Sequence, residues 1–204
     1  MKLDKDNEIE FCREYNYLGV IFDTSGTDDK AISLRVIQAR KCIACLNGIL
    51  WSKDIRKERK LNIYNALIKS SLLYGSETWR LAENDKRRVE AADMDVLRRS
   101  SRISRKDRIR NVTIRRQIGL EETIIKEIEQ NQLTRYDHVQ RMAEERLPKT
   151  ALKWMPKQKR ARGRPKKNWM EGIKKVMNDR NLNEGQWEDR KQWSLGVGQR
   201  RKTF

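Results

Sequence analysis

The apolar residues between positions 32 and 50 repeat at the spacing of one helical face. They follow one another in alternating steps of four and three residues, which predicts an amphipathic helix with a continuous buried stripe. The stripe consists of Ile32, Val36, Ala39, Ile43, Leu46 and Leu50. Asp28 or Asp29 precedes it and is predicted to cap the helix, because Asp accepts hydrogen bonds from the free N–H groups of a first turn.

Weaker stripes of the same period predict further helices. One is expected from Ser52 or Asp54 to Tyr74, with Gly75 as its stop. Others are expected after Asn84, between Asn111 and Gly119, between Glu121 and about Met142, between Trp169 and Met177, and after Asn183. The residues predicted to face inward are Leu61, Tyr64, Ile68, Leu72, Val89, Ala92, Val96, Ile125, Ile128, Tyr136, Val139, Ile173, Val176, Met177, Trp187 and Trp193.

The two ends of the chain have other patterns. Ile9–Cys12 and Tyr15–Phe22 have β-type composition, and the turn residues of Asp23–Asp29 follow them, so a small hairpin or a pair of short strands is expected. Residues 146–168 contain three prolines and a glycine and are predicted to be mostly extended or loop. The tail Gly196–Phe204 is expected to be disordered. The prediction is a mainly α-helical fold with a short N-terminal β element and a basic, partly disordered C-terminal extension.

The charge of the chain is concentrated in two blocks. The 204 residues carry a formal net charge of +18, and 37% of them are hydrophobic. Residues 98–116 hold nine bases and one acid, residues 146–170 hold ten bases and no acid, and residues 1–30 have a net charge of −4. Because soluble domains are typically about 45–50% apolar, the expected core does not engage the whole chain.

The densest basic run, KQKRARGRPKKNW, spans residues 157–169. Such a run is predicted to be solvated and to bind a polyanion, because burial of each unpaired charge costs several kcal/mol. Nucleic acid is the expected partner, since neutralised phosphates release counterions. The RGRP core permits either an AT-hook-like contact with an A/T-rich minor groove or binding to phosphates without sequence preference. The predicted contact residues are Lys157, Lys159, Arg160, Arg162, Gly163, Arg164, Lys166 and Lys167, together with Arg98, Arg99, Arg102 and Arg105.

Three possible catalytic or metal-binding features have simpler explanations. His138 is the single histidine, and the sequence places no Ser or Cys nucleophile beside it. Cys42-x-x-Cys45 is half of a zinc pattern without a second pair, so packed free thiols are expected. The carboxylates of Asp23, Asp28 and Asp29 fit a turn and a helix cap better than a Mg²⁺ site.

Other function classes are also disfavoured. No GxGxxG or GxxxxGK[ST] loop is present. The three cysteines do not form a disulfide framework, no signal peptide follows Met1, and the apolar runs are too short for a membrane span. We therefore expect no cofactor, no metal and no membrane partner, and a nuclear location.

Five segments in this order resemble the C-terminal part of non-LTR retrotransposon reverse transcriptases of the endonuclease–polymerase type. They are YNYLG followed by VIF from Tyr15, SLLYGSETW (Ser71–Trp79), RYDHVQRM (Arg135–Met142), RARGRPKKNW (Arg160–Trp169) and DRKQWSLGVGQRRKTF (Asp189–Phe204). Asp137 departs from the family pattern, which usually has Gly at that position.

The resemblance implies a division of the chain and a function. Residues 1–28 would correspond to the primer-grip region, with Tyr17, Leu18 and Gly19 at its centre. Residues 29–145 would form a helical thumb-like domain, and residues 146–204 a nucleic-acid-binding extension for DNA, RNA or their hybrid. The family's polymerase chemistry needs an aromatic-x-Asp-Asp motif in a palm, and this chain has none. The expectation is therefore a nucleic-acid-binding fragment that lacks the palm and the endonuclease and is not itself an enzyme.

Two alternatives remain open at the level of sequence. The chain is alternatively a small architectural DNA-binding protein that uses the RGRP core, which predicts a strong preference for A/T-rich duplex. It is alternatively an inert remnant of a mobile element, which predicts that cells do not contain the protein.

Overall fold

The computed structural model describes residues 11–120, 122–154 and 168–198, and these form a mainly α-helical molecule. A two-stranded hairpin precedes the helices. The predicted fold class is confirmed. Within the described ranges, no helix combines the length and the apolar character that crossing a bilayer requires.

The hairpin consists of β1 (Glu14–Tyr17) and β2 (Val20–Asp23), which pair antiparallel with Tyr17 opposite Val20. Its two-residue turn is Leu18-Gly19, with φ of 48° and 75°. Turns with two positive φ angles match the twist of the flanking strands, and glycine adopts such an angle without a steric penalty. The predicted small hairpin is confirmed, with its turn inside the Tyr15–Phe22 run, and Asp23–Asp29 leads from β2 to the first helix.

The first apolar stripe is confirmed, and it spans two helices. Helix α1 (Asp29–Cys45) ends at Leu46, and α2 (Asn47–Trp51) continues the chain. Five of the six stripe residues are buried, and Leu46 is half-buried against the core. Asp28 occupies the cap position, but its carboxylate accepts hydrogen bonds from Arg80 rather than from the first turn of α1. The predicted side-chain cap is therefore wrong.

The next helical stretch is continuous over residues 57–73. It begins as α3 (Lys57–Ile63), loosens into a π-helical segment (Tyr64–Lys69) and ends as α4 (Ser70–Leu73). The predicted stop at Gly75 is confirmed, because this glycine has a φ of 74° that ends the helical path. A 3₁₀ turn (Ser76–Thr78) then leads towards the next helix.

Three more predicted helices are present. They are α5 (Glu83–Ser100), α6 (Asn111–Ile118) and α7 (Ile124–Gln140). Asn111 is the first residue of α6 rather than its cap, and its side chain accepts a hydrogen bond from Arg98. Thr123 caps α7 by accepting a hydrogen bond from the Lys126 N–H.

The C-terminal part contains more helix than predicted. Helix α8 (Leu147–Lys153) lies in the segment expected to be extended, because Pro148 stands in the first turn, where a missing N–H costs no hydrogen bond. Helix α9 (Trp169–Asp179) confirms the prediction. A 3₁₀ turn (Gln186–Glu188) and α10 (Arg190–Gly198) follow. Asp189, not Asn183, accepts the N–H bonds at the start of α10. This helix includes residues 196–198 of the tail expected to be disordered, and residues 199–204 lie outside the described ranges.

The buried apolar residues form two clusters. The first cluster joins α1 to α7 and is mostly aliphatic, with Ile32, Ile68, Leu97, Ile114 and Ile128 fully buried. The second cluster joins the C-terminal half of α7 to α9 and α10. It consists of Leu133, Tyr136, Ile173, Val176, Met177, Leu182 and Trp193, with Trp169 and Trp187 packed against it. Helix α7 thus contributes to both clusters.

Candidate nucleic-acid interface

Helices α1 and α5 lie side by side and run in the same direction. Arg88 of α5 donates to the Ser33 hydroxyl at 2.6 Å, one turn into α1. Near the other end, Arg99 donates to the Asn47 side chain just beyond α1. The carboxyl ends of both helices therefore point the same way. The negative end of each helix dipole attracts cations, so basic residues are favoured at this edge of the fold.

Residues 101–110, here called the basic loop, leave this edge and connect α5 to α6. Hydrogen bonds fix the loop at both ends. Ile103 N–H donates to the Arg98 carbonyl at 2.9 Å, and the Arg98 side chain donates to the Ile109 carbonyl at 2.7 Å. Ile103 and Ile109 also pack against the first cluster. The loop backbone is thus held on the core and is not a free connection.

Two arginines of the basic loop adopt a left-handed backbone conformation. Arg102 has a φ of 57° and Arg108 a φ of 52°. Arg102 occupies the position after α5 where helices commonly end with glycine, and its N–H bonds to the Arg99 carbonyl in the corresponding way. Residues with a β-carbon pay a steric cost of about 1 kcal/mol there. The sequence therefore places arginine twice where backbone stability favours glycine.

The basic loop presents its positive charges to solvent. Its exposed bases are Arg102, Arg105, Lys106, Arg108 and Arg110. None of them forms an ion pair with another described residue. The one acid, Asp107, is also exposed, and its carboxylate accepts a hydrogen bond from the Ser104 N–H at 2.7 Å. A dense positive surface on a fixed backbone results, which suits a polyanion.

The four predicted contact residues of this block fall into two groups. Arg102 and Arg105 are exposed. Arg98 and Arg99 are half-buried and bonded internally, Arg98 to the basic loop and Arg99 to Asp95 at 3.2 Å. Arg102 and Arg105 are thus exposed and unpaired among the described residues, whereas internal bonds hold Arg98 and Arg99 in place, and Arg99 also lines the cleft described next.

A cleft lies between the basic loop and α2. One part of the cleft, about 420 Å³, is lined by Trp51, Arg99 and Arg105. An adjoining part of about 540 Å³ shares Arg99 and Arg105 and extends to Arg40 on α1. The acid on both walls is Asp95, which is paired with Arg99. Trp51 is 37% exposed at the end of α2, and its indole ring shares the first part of the cleft with the guanidinium groups of Arg98, Arg99 and Arg105.

A buried lysine, which sequence reasoning missed, supports this edge from inside. Lys60 of α3 is 2% exposed, and its ammonium donates to the Ser52 carbonyl at 2.7 Å and to the Ser100 carbonyl at 3.5 Å. Burial, and then the charges of Arg102 and Lys57, lower the pKa of Lys60. Lys60 thus connects the segment after α2 to the end of α5. It lies on the inward face of α3, the position of a core residue.

The second basic block lies only partly within the described residues. Lys157, Lys159, Arg160, Arg162, Gly163, Arg164, Lys166 and Lys167 all fall outside them. Before this gap, Lys149 donates to the carbonyls of Gln140 and Met142 at 2.9 Å each. Lys149 and Lys153 both pair with Glu144, and these bonds, the one to Lys149 first, lower the pKa of Glu144 to about 2. These two lysines of residues 146–170 therefore have an acidic partner just ahead of the block.

The Tyr17–Gly19 segment is a turn docked on the helices. The Leu18 carbonyl accepts a hydrogen bond from the Tyr74 hydroxyl at 2.7 Å, and the Gly19 carbonyl accepts one from Arg35. Arg35 also lies over the Tyr74 ring at 4.2 Å. The Tyr17 side chain is 55% exposed. This arrangement joins YNYLG to SLLYG, two of the segments that carry the family resemblance.

Tyr136 and Trp169 belong to two further such segments, and their rings lie side by side. Trp193 of the last segment reaches them through Trp187, whose ring it contacts at 6.3 Å. The Tyr136 ring lies 5.6 Å from that of Trp187, edge to face, and 6.4 Å from that of Trp169. The Trp169 indole N–H donates to the Glu77 carbonyl at 3.1 Å. Gln132 donates to the carbonyls of Ser76 and Trp79. These motif residues therefore have a structural role, because they attach α9 and the 3₁₀ turn before α10 to the rest of the fold.

The remaining candidates are His138, the two cysteines of the half zinc pattern, and Asp23. His138 is exposed on α7, Cys42 is half-buried, and Cys45 is exposed, so only one of the two thiols packs as expected. Asp23 accepts hydrogen bonds from Lys30 and Ser25, which lower its pKa to about 2. Among the described residues, no group of His, Cys, Asp and Glu is placed to hold a metal ion.

Asp137, the residue that departs from the family pattern, is buried and pairs with Arg141 on the next turn of α7. Arg141 also donates to the Trp187 carbonyl at 3.2 Å.

Comparison of the chain with protein-family models, curated proteins and solved structures found no match.

Proposed function

We propose that this chain is a nucleic-acid-binding protein of the type that forms the C-terminal part of non-LTR retrotransposon reverse transcriptases. The observation that carries the proposal is the basic loop. Its exposed bases stand on a backbone held by hydrogen bonds and apolar contacts, and they have no acidic partner among the described residues. The proposed role of the chain is binding in the nucleus without catalysis, and DNA, RNA and their hybrid are all proposed partners.

Two features of the basic loop favour binding over a merely solvated face. A face that is merely solvated needs only charged side chains and places no requirement on the backbone conformation. Here Arg102 and Arg108 retain large side chains at positive φ, at a cost to folding. Residues held in unfavourable backbone conformations cluster at functional sites, where another constraint keeps them. We infer that this constraint is contact with phosphate.

The proposal assigns the second block the same chemistry. Residues 155–167 are bounded by α8, which Glu144 ties through Lys153, and by α9, which Trp169 ties to Glu77. Both boundaries of the basic segment are therefore anchored to the folded part of the chain. The proposal is that the basic loop and this segment together contact one nucleic acid.

The dependence of affinity on salt tests the proposal. If about five bases of residues 146–170 meet phosphates on duplex DNA, log K falls against log salt with a slope near −4 to −5 from that block alone. Replacing Arg160, Arg162, Arg164, Lys166 and Lys167 by Ala should flatten the slope. The triple change Arg102→Gly, Arg105→Ala and Arg108→Gly should flatten it by a further 2 to 3, roughly.

A charge-matched control separates local contact from net charge. The triple variant Arg13→Ala, Lys174→Ala and Lys191→Ala removes three exposed bases elsewhere on the molecule. It should leave the slope close to that of the parent chain. If it flattens the slope as much as the loop variant does, the basic loop is not the binding surface.

A competition between A/T-rich and G/C-rich duplex addresses the AT-hook alternative. Equal affinities are expected under phosphate binding. A strong A/T preference that disappears in an Arg162→Ala, Arg164→Ala variant would favour the architectural DNA-binding alternative, since that mode needs guanidinium groups in the minor groove.

A further inference from the structure

We propose that the cleft between Trp51 and the basic loop binds an unpaired nucleotide, with the base on the indole ring and the phosphates on Arg99 and Arg105. This inference rests on the proposed function and narrows it. It commits the site to single-stranded nucleic acid or to a single-stranded overhang, and not to the uniform backbone of a duplex.

The composition of the cleft supports this choice. A site for duplex backbone needs only positive charge and exposed surface. This cleft adds the ring of Trp51, 37% exposed at the end of α2, which lines the same opening as Arg105 of the basic loop. Proteins that bind single strands pair aromatic rings, on which bases stack, with a basic groove that follows the backbone. The two elements occur here in one opening.

The size of the cleft fits one nucleotide with its flanking phosphates. Its two adjoining parts measure about 420 and 540 Å³. Ligand sites in proteins usually lie between about 300 and 1,000 Å³. Arg40 on α1 lines the second part together with Arg99 and Arg105. A strand with its base on Trp51 would therefore continue over guanidinium groups.

One arginine of the cleft lining is held in place before any ligand binds. Arg99 is held between Asp95, at 3.2 Å, and the side-chain oxygen of Asn47. Its guanidinium group is thus oriented, and only part of its donor capacity is used. Arg105 is exposed and forms no ion pair within the described ranges. Arg99 is thus positioned in advance, which lowers the entropy cost of binding. Arg105 is free to close on a phosphate.

Binding of three probes tests the inference. They are an oligo-dT of about eight nucleotides, within the span of one single-strand site, a blunt duplex, and the same duplex with a short overhang. Trp51→Ala should weaken binding of the single strand and the overhang about 5- to 100-fold, the effect of losing one stacked base. It should change affinity for the blunt duplex less than twofold.

Matched variants control for folding and for charge. Trp51→Phe should keep most of the single-strand affinity, because a phenyl ring still stacks. Phe22→Ala, which removes another exposed aromatic ring, should have no effect. Arg105→Ala should weaken single-strand binding more than Lys106→Ala, although both remove one exposed charge of the same loop. An oligo-U of equal length distinguishes RNA from DNA as the source of the nucleotide.

Photocrosslinking locates the bound single strand on the protein directly. A single strand with 5-iododeoxyuridine should crosslink to Trp51, as mapped by mass spectrometry. Crosslinks confined to residues 155–167, or equal losses of duplex and single-strand binding in Trp51→Ala, would overturn the inference and leave the proposed function standing. Failure of the parent chain to bind any of the three probes would remove both.

Discussion

The two hydrophobic clusters are built differently. The first cluster buries aliphatic side chains from helices that follow one another along residues 29–128, and it encloses charged groups. The second cluster is smaller and rests on aromatic rings, with Tyr136 between Trp169 and Trp187. Its members come from the end of α7 and from a part of the chain more than thirty residues further on. The first cluster is thus the main core of the fold, and the second cluster attaches α9 and α10 to α7.

The difference has a functional counterpart. The first cluster holds the basic loop and the Trp51 cleft directly, through Ile103, Ile109 and the buried Lys60. The second cluster holds the element that follows the densest basic run. Loss of the second cluster should therefore affect the C-terminal block of charge and spare the loop, whereas loss of the first should affect both. Three changes test this comparison.

The largest effect is expected in the first cluster from Asp93→Ala. Asp93 is fully buried on α5, where it accepts hydrogen bonds from the Tyr64 hydroxyl and from Arg115. Burial, and then the charge of Asp93, raise the pKa of Tyr64, so this hydroxyl stays a donor. Removing the carboxylate leaves the Arg115 charge buried without its partner and should cost about 3–5 kcal/mol of unfolding free energy.

Chemical denaturation measures this cost, with helix content by circular dichroism and tryptophan fluorescence as two probes. Asp93→Asn keeps an oxygen for the Tyr64 hydroxyl and should cost less. Because α7 joins the clusters, both probes should shift together. A fluorescence transition that stays in place while the helix signal shifts would mean that the clusters unfold independently.

A smaller effect is expected in the second cluster from Trp169→Phe. The change removes the hydrogen bond to the Glu77 carbonyl and part of a half-buried ring, and it should cost roughly 1–2 kcal/mol. The matched change Trp154→Phe alters an exposed tryptophan near the other end of the basic segment and should cost little. The midpoint of urea unfolding compares the two. Equal midpoints would mean that Trp169 does not anchor α9.

The smallest effect is expected from Asp85→Asn, which probes a buried carboxyl of the first region whose cation, Arg88, is more distant than the cation paired with Asp93. Asp85 is 2% exposed at the start of α5, and its Oδ1 lies 3.7 Å from Nη1 of Arg88. Burial, and then the charge of Asp29, raise its pKa. A carboxyl with a raised folded-state pKa stabilises the fold below its unfolded pKa, and this contribution is lost as the pH rises through the folded pKa.

The Asn variant should therefore be more stable than the parent chain at neutral pH, and the gap should close near the ordinary Asp pKa of about 4. Thermal unfolding at the two pH values measures the gap. Asp29→Asn removes the neighbouring charge and should act in the same direction. A gap of equal size at both pH values would show that packing, and not the proton, is responsible.

The positions of the helices could be predicted from the sequence because most of them have one apolar face. The stripe from Ile32 to Leu50 predicted one helix where the structure has α1 and α2, and Gly75 and Gly119 marked two helix ends by their tolerance of positive φ. The hairpin turn could not be predicted in this way, since Leu18-Gly19 lies inside a run of strand-forming residues. Helix α8 was missed because its proline was taken as a break, although a first turn accommodates it.

The sequence by itself determined where the positive charge lies, since counting residues requires no coordinates. Only the tertiary structure decided which of these charges are held in place and which stay exposed. Arg98, Arg99 and Arg115 have the same composition signal as Arg102 and Arg105, yet internal bonds fix the first three and leave the last two exposed. Trp51 and Arg105 are distant in sequence, and they face one cleft only because α2 packs beside α5. Local pattern reports the propensity of a segment, whereas the pairing of side chains depends on which segments meet.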